Sequence, residues 1–185
     1  MTIHYKPYKI LNPKKSNNFI ILCDHALYNI PKKYKKLGLS NDNLKKHIGW
    51  DIGALKVAKK NAKKFNIYNQ IKFICCDWMD IDKVYDVIVS NPPYLTVNEY
   101  KNLNKEIKNY EPKIALLGGK DGLSSYRKLA NKLPKITHLN SLCFIEIGYN
   151  QKTESIKIFK EFGMDCVDII VDYQNYERIL VIKKN

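Results

Sequence analysis

The stretch Val87-Ile88-Val89-Ser90-Asn91-Pro92-Pro93-Tyr94 constrains this chain more than any other. Val87, Ile88 and Val89 form a short β-branched apolar run, the pattern of a strand covered on both faces. Two prolines then end the ladder, because neither can donate a backbone hydrogen bond. Pro92 also drives Asn91 toward an extended backbone. The expectation is a buried strand over 84–90 that runs into a rigid loop at the C-terminal edge of a sheet. In open α/β sheets that edge binds ligands.

Such a loop suits one kind of chemistry. A planar NH2 group on a carboxamide or nucleobase has two N–H donors and a delocalised lone pair. The Asn91 side-chain oxygen and the Pro92 carbonyl can accept both hydrogens, which turns the lone pair toward an electrophile. Tyr94 can stack on the flat group. Alignment of two reactants contributes up to roughly 7–11 kcal/mol of barrier reduction in favourable cases. The plain alternative is a proline-stiffened loop that only ends a strand, a standing risk for any short motif.

The 185 residues suffice for one domain of ordinary size with a real core. The net charge of +14 favours anionic partners, so weak contact with nucleic acid or the ribosome is an expectation. A lysine-rich surface explains the same charge, and no aromatic-plus-basic RNA motif is visible. Cys23, Cys75, Cys76, Cys143 and Cys166 form no Cys-x-x-Cys pair and fall mostly in apolar runs. They read as reduced core residues, not as a disulfide framework or a metal site. No N-terminal apolar h-region and no long apolar run is present, so the expected location is cytoplasmic, with no membrane contact.

Along the chain, residues 1–18 read as a polar arm, and 19–23 as a buried strand ending at Asp24-His25. Residues 54–65 pattern as a helix with Ala54, Leu55, Ala58, Ala62 and Phe65 on one face. A strand over 71–76 ends at Asp77-Trp78. After the strand at 84–90 comes a long connection, 96–122, of the kind that is often functional. A helix over 123–133, a strand over 142–147 and a helix over 151–162 closed by Gly163 follow. Two strands, 167–171 and 179–182, joined like a hairpin, fit an antiparallel sheet edge.

Asn91-Pro92-Pro93-Tyr94 after such a strand resembles the amino-group methyltransferases that use S-adenosylmethionine. Tyr110-Glu111-Pro112, Ala115-Leu116, Gly118-Gly119-Lys120-Asp121-Gly122-Leu123, Tyr126-Arg127, Glu146-Ile147-Gly148 and Gln151 narrow the resemblance. Together they are similar to the protein-(glutamine-N5) methyltransferases that modify peptide-chain release factors, from about Asp51 to the C-terminus. The resemblance implies an α/β, Rossmann-like class I sheet, mostly parallel with an antiparallel edge strand, and S-adenosyl-L-methionine as cofactor. It implies that Asn91, Pro92 and Tyr94 are catalytic and that Asn91, Pro92, Pro93, Tyr94 and Glu111 bind substrate. Asp51 would hold the ribose hydroxyls, Trp78 would lie beside adenine, and Asn91 would also touch the cofactor. Trp78 fits a packing role equally, and Glu111 a surface carboxylate. No metal is implied.

The beginning of the chain resembles a different family. Leu22-Cys23-Asp24-His25-Ala26, Ile30-Pro31, Leu37-Gly38-Leu39 and His47-Ile48-Gly49-Trp50-Asp51-Ile52-Gly53-Ala54 are similar to the start of the N-formylglutamate amidohydrolases. Asp24 and His25 lie where that family's site begins, and they also suit ordinary strand-end hydrogen bonding. The expected organisation is therefore an amidohydrolase-like fragment over 1–52 and a methyltransferase domain with an incomplete N-terminal part over 53–185. The methyltransferase cofactor cradle is a Gly-rich turn after the first strand. None of the eight glycines builds one before Asp51, so impaired activity is expected. The readings are glutamine methylation in release factors, N6-adenine methylation in nucleic acid, an amidohydrolase-like hydrolase, and an inactive hybrid.

Overall fold

The computed structural model describes residues 19–22, 54–72 and 77–185. Strand β1 is Phe19–Leu22 and helix α1 is Ala54–Lys64. Single 3-10 turns follow at Tyr68–Gln70 and Trp78–Asp80. Strand β2, Tyr85–Ser90, leads into three short helices: α2 (Val97–Asn102), α3 (Lys105–Tyr110) and α4 (Lys113–Leu116). Then come α5 (Ser124–Ile136), β3 (Thr137–Glu146), α6 (Lys152–Glu161), β4 (Met164–Val171) and β5 (Glu177–Lys184).

These strands form one sheet in the order β1-β2-β3-β5-β4. The β1, β2 and β3 strands are parallel, whereas β5 runs antiparallel to both β3 and β4. The expected Rossmann-like, mostly parallel sheet is therefore present, with the antiparallel β4–β5 hairpin as its edge. Strand β1 pairs Phe19 with Val87 and Leu22 with Ser90. A strand from the first expected unit thus joins the same sheet as the strand before Asn91.

Period-two patterning places the core. In β3, Cys143 and Ile145 are fully buried, as are Leu180 and Ile182 in β5. Helices α5 and α6 pack on this sheet with Tyr126, Leu129, Leu133, Ile136 and Phe159, completing one apolar cluster with Ile88. In β2 the pattern alternates: Ile88 and Ser90 are buried but Val89 is 39% exposed. The expected two-sided burial is met on the α5 side and only partly at Val89.

The end of α5, the start of β3 and the cover of α1 differ from the sequence-based expectation. Helix α5 continues past Leu133 through Pro134. Proline there lies in the last turn, and the Leu133 carbonyl is taken by the Thr137 hydroxyl at 2.7 Å, so the end stays satisfied. Strand β3 begins at Thr137 and not Leu142, because the ladder jumps from Tyr85–Thr137 to Val87–Leu142. Residues His138 to Ser141 form this bulge, fixed by the Ser141 hydroxyl on the Tyr85 carbonyl at 2.7 Å. The α1 face is also less covered than its spacing suggests. Ala62 is buried, but Ala58 and Phe65 are exposed.

Of the strand expected at 71–76, residues 71–72 are irregular and 73–76 lie outside the described residues. The arm over 1–18, Cys23, Asp24, His25 and Asp51 also lie outside them. Among the described residues, Cys143 is buried and burial pushes its thiol up to about 12, so it stays protonated and inert. The thiol of Cys166 is half-buried and raised by the same cause.

Candidate active site

Because β1, β2 and β3 are parallel, their C-terminal ends share one edge of the sheet. Asn91 follows β2 there, and Ile147-Gly148 follows β3. Asn91 is exposed, Pro92 is fully buried behind it, and Pro93 and Tyr94 are half-buried. The diproline corner is thus anchored on one side and open at Asn91.

What holds the corner comes from far along the chain. The Leu95 amide donates to the Leu116 carbonyl at 2.9 Å, and the Gly118 amide donates to the Leu95 carbonyl at 2.8 Å. Leu95 and Leu117 form a parallel bridge. The long connection therefore returns along the loop it left. Thr96 starts that excursion with a capping box: its hydroxyl accepts from the Glu99 amide, and the Glu99 carboxylate accepts from the Thr96 amide.

Tyr94 is held at both ends. Its hydroxyl donates to Glu146 Oε1 at 3.3 Å, and its carbonyl accepts from Gln151 Nε2 at 2.9 Å. Burial, then the neighbouring Glu146 carboxylate, raises its pKa above the ordinary tyrosine value. Gln151 Oε1 accepts in turn from the Tyr126 hydroxyl at 3.0 Å and the Gly148 amide at 3.1 Å. Tyr126 is fully buried, which pushes its pKa strongly up and keeps it a neutral donor.

The glycine-rich stretch 118–122 has a packing reason. A Cβ on Gly118 would lie 2.8 Å from the Pro93 carbonyl, and one on Gly122 would lie 2.5 Å from the Tyr94 carbonyl. Gly119 and Gly122 also have positive φ, at 98° and 77°. These glycines let the chain approach the diproline corner. Among the residues expected at the cofactor, Asn91 lies exposed at the sheet edge and Trp78 is half-buried. Trp78 packs against the core cluster from its 3-10 turn. Glu111 is exposed at the end of α3.

A half-open cavity of about 260 Å³ lies at the same edge, between the turn after β3 and the β4–β5 hairpin. Its walls include Ile147, Tyr149, Val171 and Tyr176, and none of the expected site residues lines it. No group of three or more metal-ligating side chains occurs among the described residues. No described helix is long and apolar enough to cross a membrane.

Spacing alone assigned no role to Glu146, Gly148, Tyr126 or Gln151, although all stood in the quoted pattern. The structure assembles them around Tyr94. The available signal was their co-occurrence with the Asn-Pro-Pro-Tyr loop, since local periodicity says nothing about contacts 57 positions apart.

Comparison with known families decides the class. Residues 15–109 match the family model described as RMKL-like, methyltransferase domain. The chain belongs to this methyltransferase family. The match runs across the expected boundary at residues 52–53 and includes both β1 and the Asn91 loop. The methyl donor implied by the family is S-adenosyl-L-methionine. A bifunctional methyltransferase of Rickettsia bellii is 38% identical over 71% of this chain and 24% of its own length. A release factor glutamine methyltransferase of Agrobacterium fabrum is 34% identical over 74% of this chain and 48% of its own length. The chain thus spans half or less of the length of these curated relatives. Among solved structures, a ribosomal protein L11 methylase of Lactobacillus delbrueckii subsp. bulgaricus aligns at 15% identity and a TM-score of 0.48. It covers 73% of this chain and 55% of that protein.

Proposed function

We propose that this methyltransferase transfers a methyl group from S-adenosylmethionine to the side-chain amide nitrogen of a glutamine in a peptide-chain release factor. The observation that carries the reading is the exposed Asn91 on a corner whose Tyr94 and Leu95 carbonyls are already committed. Tyr94 is taken by Gln151 and Leu95 by Gly118. In this reading the Asn91 side-chain oxygen accepts one amide hydrogen, and the carbonyl of Pro92, a residue buried in this structure, turns toward the substrate to accept the other. Tyr94, its ring fixed by Glu146, covers the amide plane, Pro93 shapes the wall, and Glu111 borders the substrate on the returning connection. Asp51 and Trp78 serve the cofactor end. The cofactor supplies the methyl group when bound, and the nitrogen loses one proton to water after transfer. No strong base is needed, because the alkylated nitrogen is acidic. The relatives named release factor glutamine methyltransferase support this substrate.

The amidohydrolase-like N-terminal fragment, in the same reading, contributes a strand to the sheet and no hydrolytic site. A sequence without the Gly-rich turn gives weakened cofactor binding. The cytoplasm is the compartment where this chemistry has its substrate.

Isothermal titration with S-adenosylmethionine, followed by methyl transfer from labelled cofactor, tests the proposal. Label incorporated into a release factor, and lost when its target glutamine is replaced, supports it. Label in nucleic acid alone supports the N6-adenine reading, which the +14 charge favours. Micromolar cofactor binding overturns the expectation of impairment. Absence of both binding and transfer supports the inactive hybrid.

A further inference from the structure

We infer that Gln151 is the positioning residue of the Asn91 loop, the group that sets where the nitrogen acceptors stand. The inference deepens the proposed methyl transfer and rests on it for its catalytic consequence, though not for its structural one.

Gln151 lies just ahead of α6, 57 positions from Tyr94, yet it joins three separate segments. Its Nε2 donates to the Tyr94 carbonyl at 2.9 Å. Its Oε1 accepts from the Tyr126 hydroxyl of α5 and from the Gly148 amide after β3. The orientation is forced by chemistry. A carbonyl can only accept and a backbone amide can only donate, so the NH2 must face Tyr94 and the oxygen must face Gly148. A carboxamide satisfies both demands, whereas a carboxylate or an apolar side chain satisfies one or neither.

A second observation points the same way. Gly122 and Gly148 flank the carboxamide so closely that a Cβ on either would crowd it. The distances would be 2.5 Å to Nε2 from Gly122 and 2.6 Å to Oε1 from Gly148. The Gly122 Cβ would also meet the Tyr94 carbonyl at 2.5 Å, so the glycines leave room for this one bond. The contact fixes the carbonyl two peptides beyond Pro92. With the prolines stiffening the intervening chain, that anchor sets the direction of the Pro92 carbonyl and the Asn91 side chain. A displacement of about 1 Å in such acceptors can cost about 100-fold in rate.

Amide hydrogen exchange on the full chain, without cofactor or substrate, tests the structural half. Gln151→Leu is expected to speed exchange of the Leu95 and Gly118 amides tenfold or more, with Leu129, Leu133 and Cys143 within twofold of wild type. Gln151→Glu keeps the size but loses the donor, so it should loosen the same two amides at neutral pH. It should recover on acidification, when the protonated carboxyl can donate to the Tyr94 carbonyl again. A merely space-filling role would not produce that pH recovery. Unchanged Leu95 and Gly118 exchange in both variants, or a uniform rise that includes α5, overturns the inference.

In methyl transfer, both variants should lower kcat at least tenfold with cofactor affinity unchanged. A fall in cofactor affinity with kcat preserved also overturns the inference. If the wild-type chain transfers no methyl group while the exchange pattern appears, the proposed activity fails and the positioning contact stands.

Discussion

Tyr94 donates its hydroxyl to Glu146 Oε1 at 3.3 Å, which ties the loop after β2 to the last residue of β3. The tip of the ring is therefore held by a neighbouring strand. Burial is the larger cause of the raised Tyr94 pKa, and Glu146 adds to it through charge and hydrogen bond. Glu146→Gln should lower the Tyr94 pKa, but not fully to the ordinary value, because burial remains. Ultraviolet pH titration, with Tyr94→Phe as the difference reference, reads this directly. An unchanged titration would mean that the carboxylate does not face the hydroxyl in solution.

Asn91 separates function from stability. It is exposed, so Asn91→Ala should change stability by no more than about 0.5 kcal/mol in urea denaturation. Methyl transfer should fall about 100-fold or more if its oxygen holds one of the two amide hydrogens. A variant with near-normal turnover would remove Asn91 from the reaction.

Two glycines with similar backbones should respond differently to the same change. Gly122 has φ 77° and no room for a Cβ, whereas Gly163 has φ 73° and open space around it. Gly163→Ala should cost about 1 kcal/mol, the left-handed strain alone. Gly122→Ala adds a clash with the Tyr94 carbonyl and the Gln151 amide and should cost about 2–4 kcal/mol. Thermal and denaturant unfolding of the two variants, side by side, measures the difference.

Asp121 predicts an acid-sensitive step. Its carboxylate accepts from Arg127 at 2.6 Å and from the Leu123 amide at 3.1 Å, ahead of α5. The Arg127 guanidinium, then the backbone amide, hold its pKa at about 2, below the usual carboxylate value. A depressed pKa in the folded state gives stability that is present above the unfolded value and is lost as pH falls toward about 2. Asp121→Asn should therefore flatten the stability profile over that acid range and leave its shape near neutrality unchanged. The pair is exposed, so the effect should shrink in high salt. Denaturation curves at several acid pH values check both statements.

Much of the fold was legible in local pattern. The β-branched run at Val87 to Val89, the double proline, the helical spacing after Leu123 and the Gly163 stop each act within a few residues. They predicted β2, α5, α6 and the β4–β5 hairpin for that reason. The misplaced boundaries fall where a further hydrogen bond, local at the end of α5 and distant at the start of β3, offsets a local signal. Helix α5 closes after Pro134 with the Thr137 hydroxyl on the Leu133 carbonyl, and His138 to Ser141 enter β3 because Ser141 reaches the Tyr85 carbonyl.

The sequence by itself determined that an Asn followed by two prolines must leave a strand as a stiff corner, since proline fixes φ and removes the donor. Only the tertiary structure decided what aims that corner. Gln151 donates to the Tyr94 carbonyl over 57 positions, Glu146 accepts from the Tyr94 hydroxyl over 52, and Gly122 and Gly148 leave room for the first of these bonds. Such contacts depend on which strands become neighbours, and strand order is a property of the whole sheet that no local period encodes.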